Sequence, residues 1–246
     1  MSAAKRIGAK RGAAKRGAVK RVAVKRVAVK HVAVKHVAAK RGAANSGAVA
    51  KARLEIRFYP LTEDRWEDLE RLFGPRGACA GCWCMWWRLP RTQWNSQCGA
   101  GNRKAFHALV ESGNPPGILA YAGGEPVGWC AVAPREAYGG LERSRVLAPV
   151  DERPVWSVTC FFVAREHRRR GVTVGLLEAA AKHAAMRGAK LLEGYPTESK
   201  GDSPAAWVFT GLAGAFRKAK FREVARRSPT RPIMRRALRP PRGRGV

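Results

Sequence analysis

The chain has 246 residues, of which 48 are Lys or Arg and 18 are Asp or Glu, giving a formal net charge of +30 at pH 7. No apolar run approaches the roughly 20 residues of a membrane span. With six cysteines and no pattern of a secretory signal, a reducing, cytoplasmic setting is expected, nucleoid association included, and a disulfide scaffold is not.

The charge is unevenly divided. Residues 1–53 hold 16 Lys and Arg and no acid, and residues 217–246 hold 12 with one acid, Glu223, which leaves 20 basic and 17 acidic residues between them. The middle therefore reads as one nearly neutral globular domain, 54–238, with a basic arm before it and a short basic tail, 239–246. The arm repeats with a period of five, K-R-G-A-V and K-R-V-A-V and their variants, from Lys10 to Ala44. A five-residue period leaves no constant apolar face on a helix or a strand, and repulsion opposes compaction, so residues 1–53 are expected to be disordered. They resemble the Lys/Ala-rich tails of bacterial histone-like proteins, which implies non-specific binding of nucleic acid by counterion release. A translated DNA repeat without a role, or a targeting segment, are the other readings of the same pattern.

From Leu54 the pattern changes. Leu54–Tyr59 alternates apolar and charged residues as a half-buried strand, ended by Pro60. Thr62 is read as the N-cap of a helix to Phe73, which Gly74-Pro75 stops. The segment Gly74–Gly101 reads as an insertion rich in Cys and Trp. Its Cys79, Cys82, Cys84 and Cys98 have a spacing that could close on a tetrahedral zinc, or they are buried thiols in an aromatic loop, or they serve redox chemistry. Trp83, Trp86 and Trp87 either line a cleft for an apolar, aromatic or cationic acceptor or fill space under the loop.

Asn102 is read as the cap of a helix to Ser112, ended by Gly113, Pro115 and Pro116. Ile118–Tyr121 and Val127–Ala133 form a hairpin across A-G-G-E-P. Pro154–Val163 is a long strand, with Cys160 in its apolar run, like Cys130 in the strand before it, reading as core. It feeds a basic, glycine-containing turn, R-E-H-R-R-R-G, and a helix from Thr173 to Arg187 with one apolar stripe. Lys190–Tyr195 is the next strand. A last helix near Phe209–Lys218 precedes strands from Phe221 onward, and the proline-containing end holds either a final strand around Ile233–Leu238 or none. His107 and His183, on helices, read as solvated.

A strand, a basic turn and a helix start make a pyrophosphate cradle, because the first helical amides lack intrahelical partners and the helix dipole adds positive charge. Val163, Arg168 and Gly171 stand at the spacing of motif A of the GCN5-related N-acetyltransferases (GNAT), V-x-x-x-x-R-x-x-G-x-[GA], with Thr173 in the last place. The order of elements over roughly 54–238 also resembles that family. More narrowly, G-C-W-C-M-W-W-R (Gly81–Arg88) and R-S-P-T-R-P-I-M (Arg227–Met234) resemble a bacterial subgroup of it.

The resemblance implies an α/β fold with a central mixed, mostly antiparallel sheet, a splayed strand pair and flanking helices. It implies acetyl-CoA as acyl donor, an amine acceptor of unspecified identity, and direct attack without an acyl-enzyme. The pantetheine arm would pair with the backbone of Phe161, Phe162 and Val163. The pyrophosphate would sit on the amides of Arg168, Arg169, Arg170, Gly171, Val172 and Thr173. The Tyr that many members use as general acid is replaced by Phe216. The remaining catalytic candidates are Glu193 as base, Tyr195 as acid and Ser157, with Thr159, as relay, since each pair shares a strand face. A nucleic-acid-associated protein with a non-catalytic domain of this fold is the alternative.

Overall fold

A computed structural model of the chain describes residues 55–198 and 208–239. The expected disordered arm over 1–53 and all but Arg239 of the expected tail lie outside the described residues. In chain order the elements are β1 (Ile56–Pro60), a 3-10 turn (Glu63–Arg65) leading into α1 (Trp66–Phe73), α2 (Arg91–Ser96), α3 (Ala100–Glu111), β2 (Gly117–Ala122), β3 (Glu125–Pro134), α4 (Gly139–Glu142), β4 (Trp156–Val163), α5 (Val172–Met186), β5 (Leu191–Gly194), α6 (Ala213–Lys218), β6 (Arg222–Arg226) and β7 (Pro232–Ala237).

The seven strands form one sheet in the order β1-β2-β3-β4-β5-β7-β6. Every neighbouring pair is antiparallel except β4 and β5, which run parallel and are joined through α5. Gly123 and Gly124 both have positive φ (59° and 88°), as a two-residue turn between β2 and β3 requires. This is the mixed, mostly antiparallel α/β fold expected from the sequence. No helix among the described residues is long and apolar enough to cross a membrane.

Both sheet faces are covered, which is why β3 is apolar almost throughout. Its Cys130 and Val132 face α5, where Val172, Leu176, Leu177, Ala180 and Ala184 pack down on the sheet. Its Trp129 and Ala131 face the other way, into a second core with Trp66, Leu69 and Phe73 of α1 and Phe106 and Val110 of α3. Alternation along one strand thus serves two cores. α5 lies close on β1: a Cβ added at Gly175 would stand 2.3 Å from the ring tip of Phe58.

Three local expectations give way to tertiary contacts. Thr62 has the extended backbone of a cap, but its hydroxyl accepts from Arg65 Nη1 at 2.6 Å instead of capping a backbone amide. Asn102 lies inside α3, fully buried, where its Nδ2 donates to the Gly81 carbonyl at 3.0 Å and its Oδ1 accepts from Gln97. It ties the helix to the insertion, a role that a local cap pattern does not reveal. His183, read as solvated, is buried on α5 against the edge of the Trp156 ring, and its Nε2 has no partner.

Burial, with a smaller contribution from Arg187, lowers the His183 pKa to about 4. The fold accepts only the neutral imidazole, whereas the unfolded chain takes up a proton near pH 6.5. Stability from this residue is therefore complete above about pH 6.5 and is lost as the pH falls toward 4. Urea midpoints measured across that window are expected to decline in the native chain and to decline less in His183→Leu. At Gly175 a clash opposes the helix-propensity gain of alanine. Gly175→Ala is expected to lower stability by about 1 kcal/mol net, because overpacking costs about 1–3 kcal/mol and propensity returns at most about 1; thermal melts check the sign.

Candidate active site

β4 and β5 pair over only three registers, Trp156–Val158 with Leu192–Gly194. Beyond Val158 the strands part, as the splayed pair was expected to do. Antiparallel pairing with β3 sends the amides of Phe162 and Ala164 toward β3, so those of Phe161 and Val163 face the gap. The Phe161 N–H is already taken by the Phe209 carbonyl at 2.6 Å. Of the three residues expected to pair with a pantetheine arm, Val163 is therefore the one whose amide addresses the gap without this competitor. Phe162 turns its N–H the other way, and the two serve as wall.

Below the gap lies the basic turn. Arg169 and Gly171 both have positive φ (60° and 82°), and Gly171 is the left-handed N-cap of α5. The amides of Val172, Thr173 and Val174 precede the first helical hydrogen bonds and point out of the helix end. Alternating left-handed residues before them make a concave nest for an anion. A Cβ at Gly171 would meet nothing within 4 Å, so the space over the turn is open. Arg168 is held to the strand end by its Nε, which donates to the Val163 carbonyl at 3.0 Å.

Gap and nest open into one cavity of about 990 Å³, lined by Phe161, Phe162, Val163, Arg168, Arg169, Gly171, Val172 and Thr173. Of the expected cofactor residues only Arg170 stands outside its wall, and it is exposed. The β-branched side chain of Thr173, half-buried, is accommodated in the wall. His167, Phe209 and Lys218 also line the cavity. The sequence gives no signal for them, because they converge from separate elements.

The insertion forms the opposite wall. Cys79, Cys82, Cys84, Trp86, Trp87 and Trp94 line the cavity, and so does Cys160 of β4, expected as core. Trp83 does not: it is buried against Trp66 and Phe73. Four non-glycine residues of the loop, Ala78, Ala80, Trp83 and Cys84, have positive φ, a strain of about 1 kcal/mol or more each that burial of Trp83 and Cys84 offsets. The four-thiolate zinc arrangement is not formed. Cys98 Sγ donates to the Ala80 carbonyl, Cys82 Sγ contacts the Gly77 carbonyl, and Cys84 Sγ accepts from Trp129 Nε1 at 2.8 Å. Among the described residues the only group with ligand atoms clustered closely enough for a metal is the surface trio Glu63, His107 and Glu111. Burial pushes the Cys82 thiol up to about 11, and a hydrogen bond with Cys84 together with burial holds Cys160 well above its ordinary value.

Ser157, Glu193 and Tyr195 do come together, but away from the cavity wall. All three are fully buried. The Tyr195 hydroxyl donates to Glu193 Oε1 at 2.6 Å, lies 2.8 Å from Ser157 Oγ and accepts from Arg135 Nη1 at 2.7 Å. Glu193 Oε1 also takes Arg135 Nη1 at 3.2 Å, and its Oε2 takes Arg235 Nε at 2.6 Å. Arg235 continues to Asp151, and Arg135 to Glu142. The expected roles of base, acid and relay do not fit this placement. A carboxylate that accepts from Tyr195, Arg135 and Arg235 away from the cavity does not face an amine there, and burial with the Glu193 charge raises the Tyr195 pKa well above that of a free phenol.

Residues 83–199 match the sequence profile described as the acetyltransferase (GNAT) family. This segment belongs to the GNAT family. A comparison with curated proteins returns no match. Among solved structures the chain is similar to an N-acetyltransferase from Thermoplasma acidophilum in complex with coenzyme A, at 13% identity over 75% of this chain and 100% of that one, with a TM-score of 0.43. It is similar to a ribosomal-protein-alanine N-acetyltransferase from Brucella melitensis at 16% identity over 74% and 99% of the two chains, with a TM-score of 0.45. At these identities and scores the likenesses carry no weight for substrate or residue roles.

In the GNAT domain, then, the start of α5 and the β4 edge open into one cavity, while Ser157 of β4 and Glu193 of β5 are built into the frame. Removing one partner of a buried ion pair leaves uncompensated charge, which costs about 3–5 kcal/mol. Glu193→Gln is expected to lose stability on that scale in urea denaturation, with Arg135 and Arg235 left facing a neutral amide. A variant with native stability and a selective loss of turnover would reinstate Glu193 as a base.

Proposed function

We propose that the GNAT domain is an acetyl-CoA-dependent N-acetyltransferase acting by direct attack of an amine on the thioester. The observation that carries this reading is the row of outward amides at the start of α5, beside Arg168 and Arg169 and continuous with the open edge of β4. The residues present fit the donor. The nest and guanidiniums match a pyrophosphate in charge and in hydrogen-bonding sense, and the gap beside Val163 suits an extended arm that pairs with its amide.

Acetyl-CoA supplies an acyl carbon activated by a thiol leaving group. The chain's own residues then have three tasks. The nest and the β4 edge orient the donor along the gap, the aromatic wall excludes water from the acyl end, and the insertion bounds the space for the acceptor. Phe216, at the position of the usual Tyr, is fully buried and has no proton to give. The thiolate is accordingly protonated by solvent.

Calorimetric titration of acetyl-CoA into the chain at moderate salt, with a polyphosphate of matched charge in parallel, tests the reading. Saturable one-to-one binding that polyphosphate does not displace is expected. Gly171→Glu places a carboxylate over the nest and is expected to weaken binding at least about tenfold, or 1.4 kcal/mol. Binding no tighter than that of polyphosphate would reduce the turn to a basic patch, and polyanion association through the basic chain would become the leading reading.

A further inference from the structure

We propose that the acceptor is a planar, apolar amine that is uncharged at neutral pH, an aromatic amine or a similarly weak base, and not an alkylammonium. This inference rests on the acetyltransferase reading of the same cavity. Among the described residues lining the cavity there is no Asp or Glu. An ammonium entering the acceptor half would lose its hydration without gaining a counter-ion, which is costly in a site walled by rings.

Three further observations count against a held cation. The first concerns the Trp86 and Trp94 rings. The Arg91 guanidinium lies 3.7 Å from the centroid of Trp86 and 5.4 Å from that of Trp94, and the two rings meet edge to face at 5.1 Å. That pair already holds a cation, and its charge repels a second. The second is that two carboxylates of the sheet's far half have cations of their own: Glu198 pairs with Arg217 and Arg226, and Glu193 with Arg135 and Arg235. The third concerns the sulfurs. The Cys82 and Cys160 thiols are held in their protonated forms, so they offer no negative charge. On the cofactor side Arg168, Arg169 and Lys218 add positive potential to the same space.

The proton balance agrees. An alkylamine with a pKa like that of lysine, roughly 10.4, is neutral in about one molecule in 10³ at pH 7 and needs a base to expose its lone pair. An aromatic amine arrives with the lone pair free. Its nitrogen forms the N–C bond as the C–S bond breaks, the nitrogen loses a proton to water, and the departing thiolate takes one up.

The test compares 4-methoxyaniline with 4-methoxybenzylamine, which adds one methylene and alkyl basicity to the same ring. Acetylated product is quantified by mass spectrometry with the full chain and acetyl-CoA at pH 7. The expected result is a kcat/KM for the aniline at least about tenfold higher. In Arg91→Gln, checked for retained acetyl-CoA binding, the gap is expected to narrow because the Trp86 face is released. Equal or faster acetylation of the benzylamine, acetylation of neither while acetyl-CoA still binds, or a gap unchanged in Arg91→Gln would overturn the inference and leave the donor site standing. Loss of acetyl-CoA binding in the native chain would instead overturn the acetyltransferase reading itself.

Discussion

The parting of β4 from β5 is the constraint on which the rest of the molecule depends, and one aromatic ring maintains it. Phe216 of α6 lies against Gly194, the last residue of β5, so closely that a Cβ there would stand 2.1 Å from the ring. The same ring touches Gly211 and packs edge-on against Phe161 of β4, 6.0 Å between centroids. Two residues without side chains thus admit a wedge where a sheet would otherwise continue. The parallel pairing stops at three registers, the edge of β4 is exposed, and the start of α5 comes to lie beneath an open gap. In a fully zipped sheet neither nest nor edge would have anything to receive.

A wedge works only if the paired half does not slide or open, and the buried ions supply that resistance. Arg135 follows β3, Glu193 is on β5, Arg235 is on β7 and Ser157 is on β4, so the cluster crosses four neighbouring strands. Ion pairs of this kind are weak sources of net stability, since desolvation consumes most of the attraction. Their directionality is another matter. Each guanidinium must meet fixed oxygens, so a shifted register would leave charges unpaired in an apolar interior, and that outcome is strongly disfavoured.

What could be read from the sequence was whatever is encoded locally. The nest follows from a strand, a glycine and a helix start within about twenty residues, and the β2–β3 hairpin from two adjacent glycines, so both lie where the pattern put them. Glu193 and Tyr195 were legible as neighbours on one strand face, but not as partners of Arg135 and Arg235, which are 58 and 42 residues from Glu193 in sequence. Exposed and buried carboxylates look alike in a string of letters. The same holds for His183, whose surroundings decide its charge, and for Phe209, whose carbonyl reaches the Phe161 amide from beyond β5. Asn102 and Thr62 carry cap chemistry, yet longer-range donors and acceptors outcompete the local ones. The insertion was legible as an aromatic loop that lines a cleft or fills space beneath itself, but which tryptophan faces inward depends on four strained residues that no periodicity specifies.

The two departures from the expected catalytic set have one physical meaning. Phe216 brings no hydroxyl to the leaving group, and the described cavity wall brings no carboxylate to the nucleophile. Were only one missing, the other would still demand a partner for its proton, and a half-equipped site would be hard to reconcile with an intact donor cradle. On the proposed reading the reaction needs neither group, provided that the substrates arrive in their reactive forms. A thiolate leaves without an acid when the medium protonates it afterwards, and a weakly basic amine attacks without a base. Phe216 can then be used as a wedge and the carboxylates as clamps. What the protein retains is positioning and exclusion of water, which account for a large share of the rate available to a reaction between two bound neutral partners.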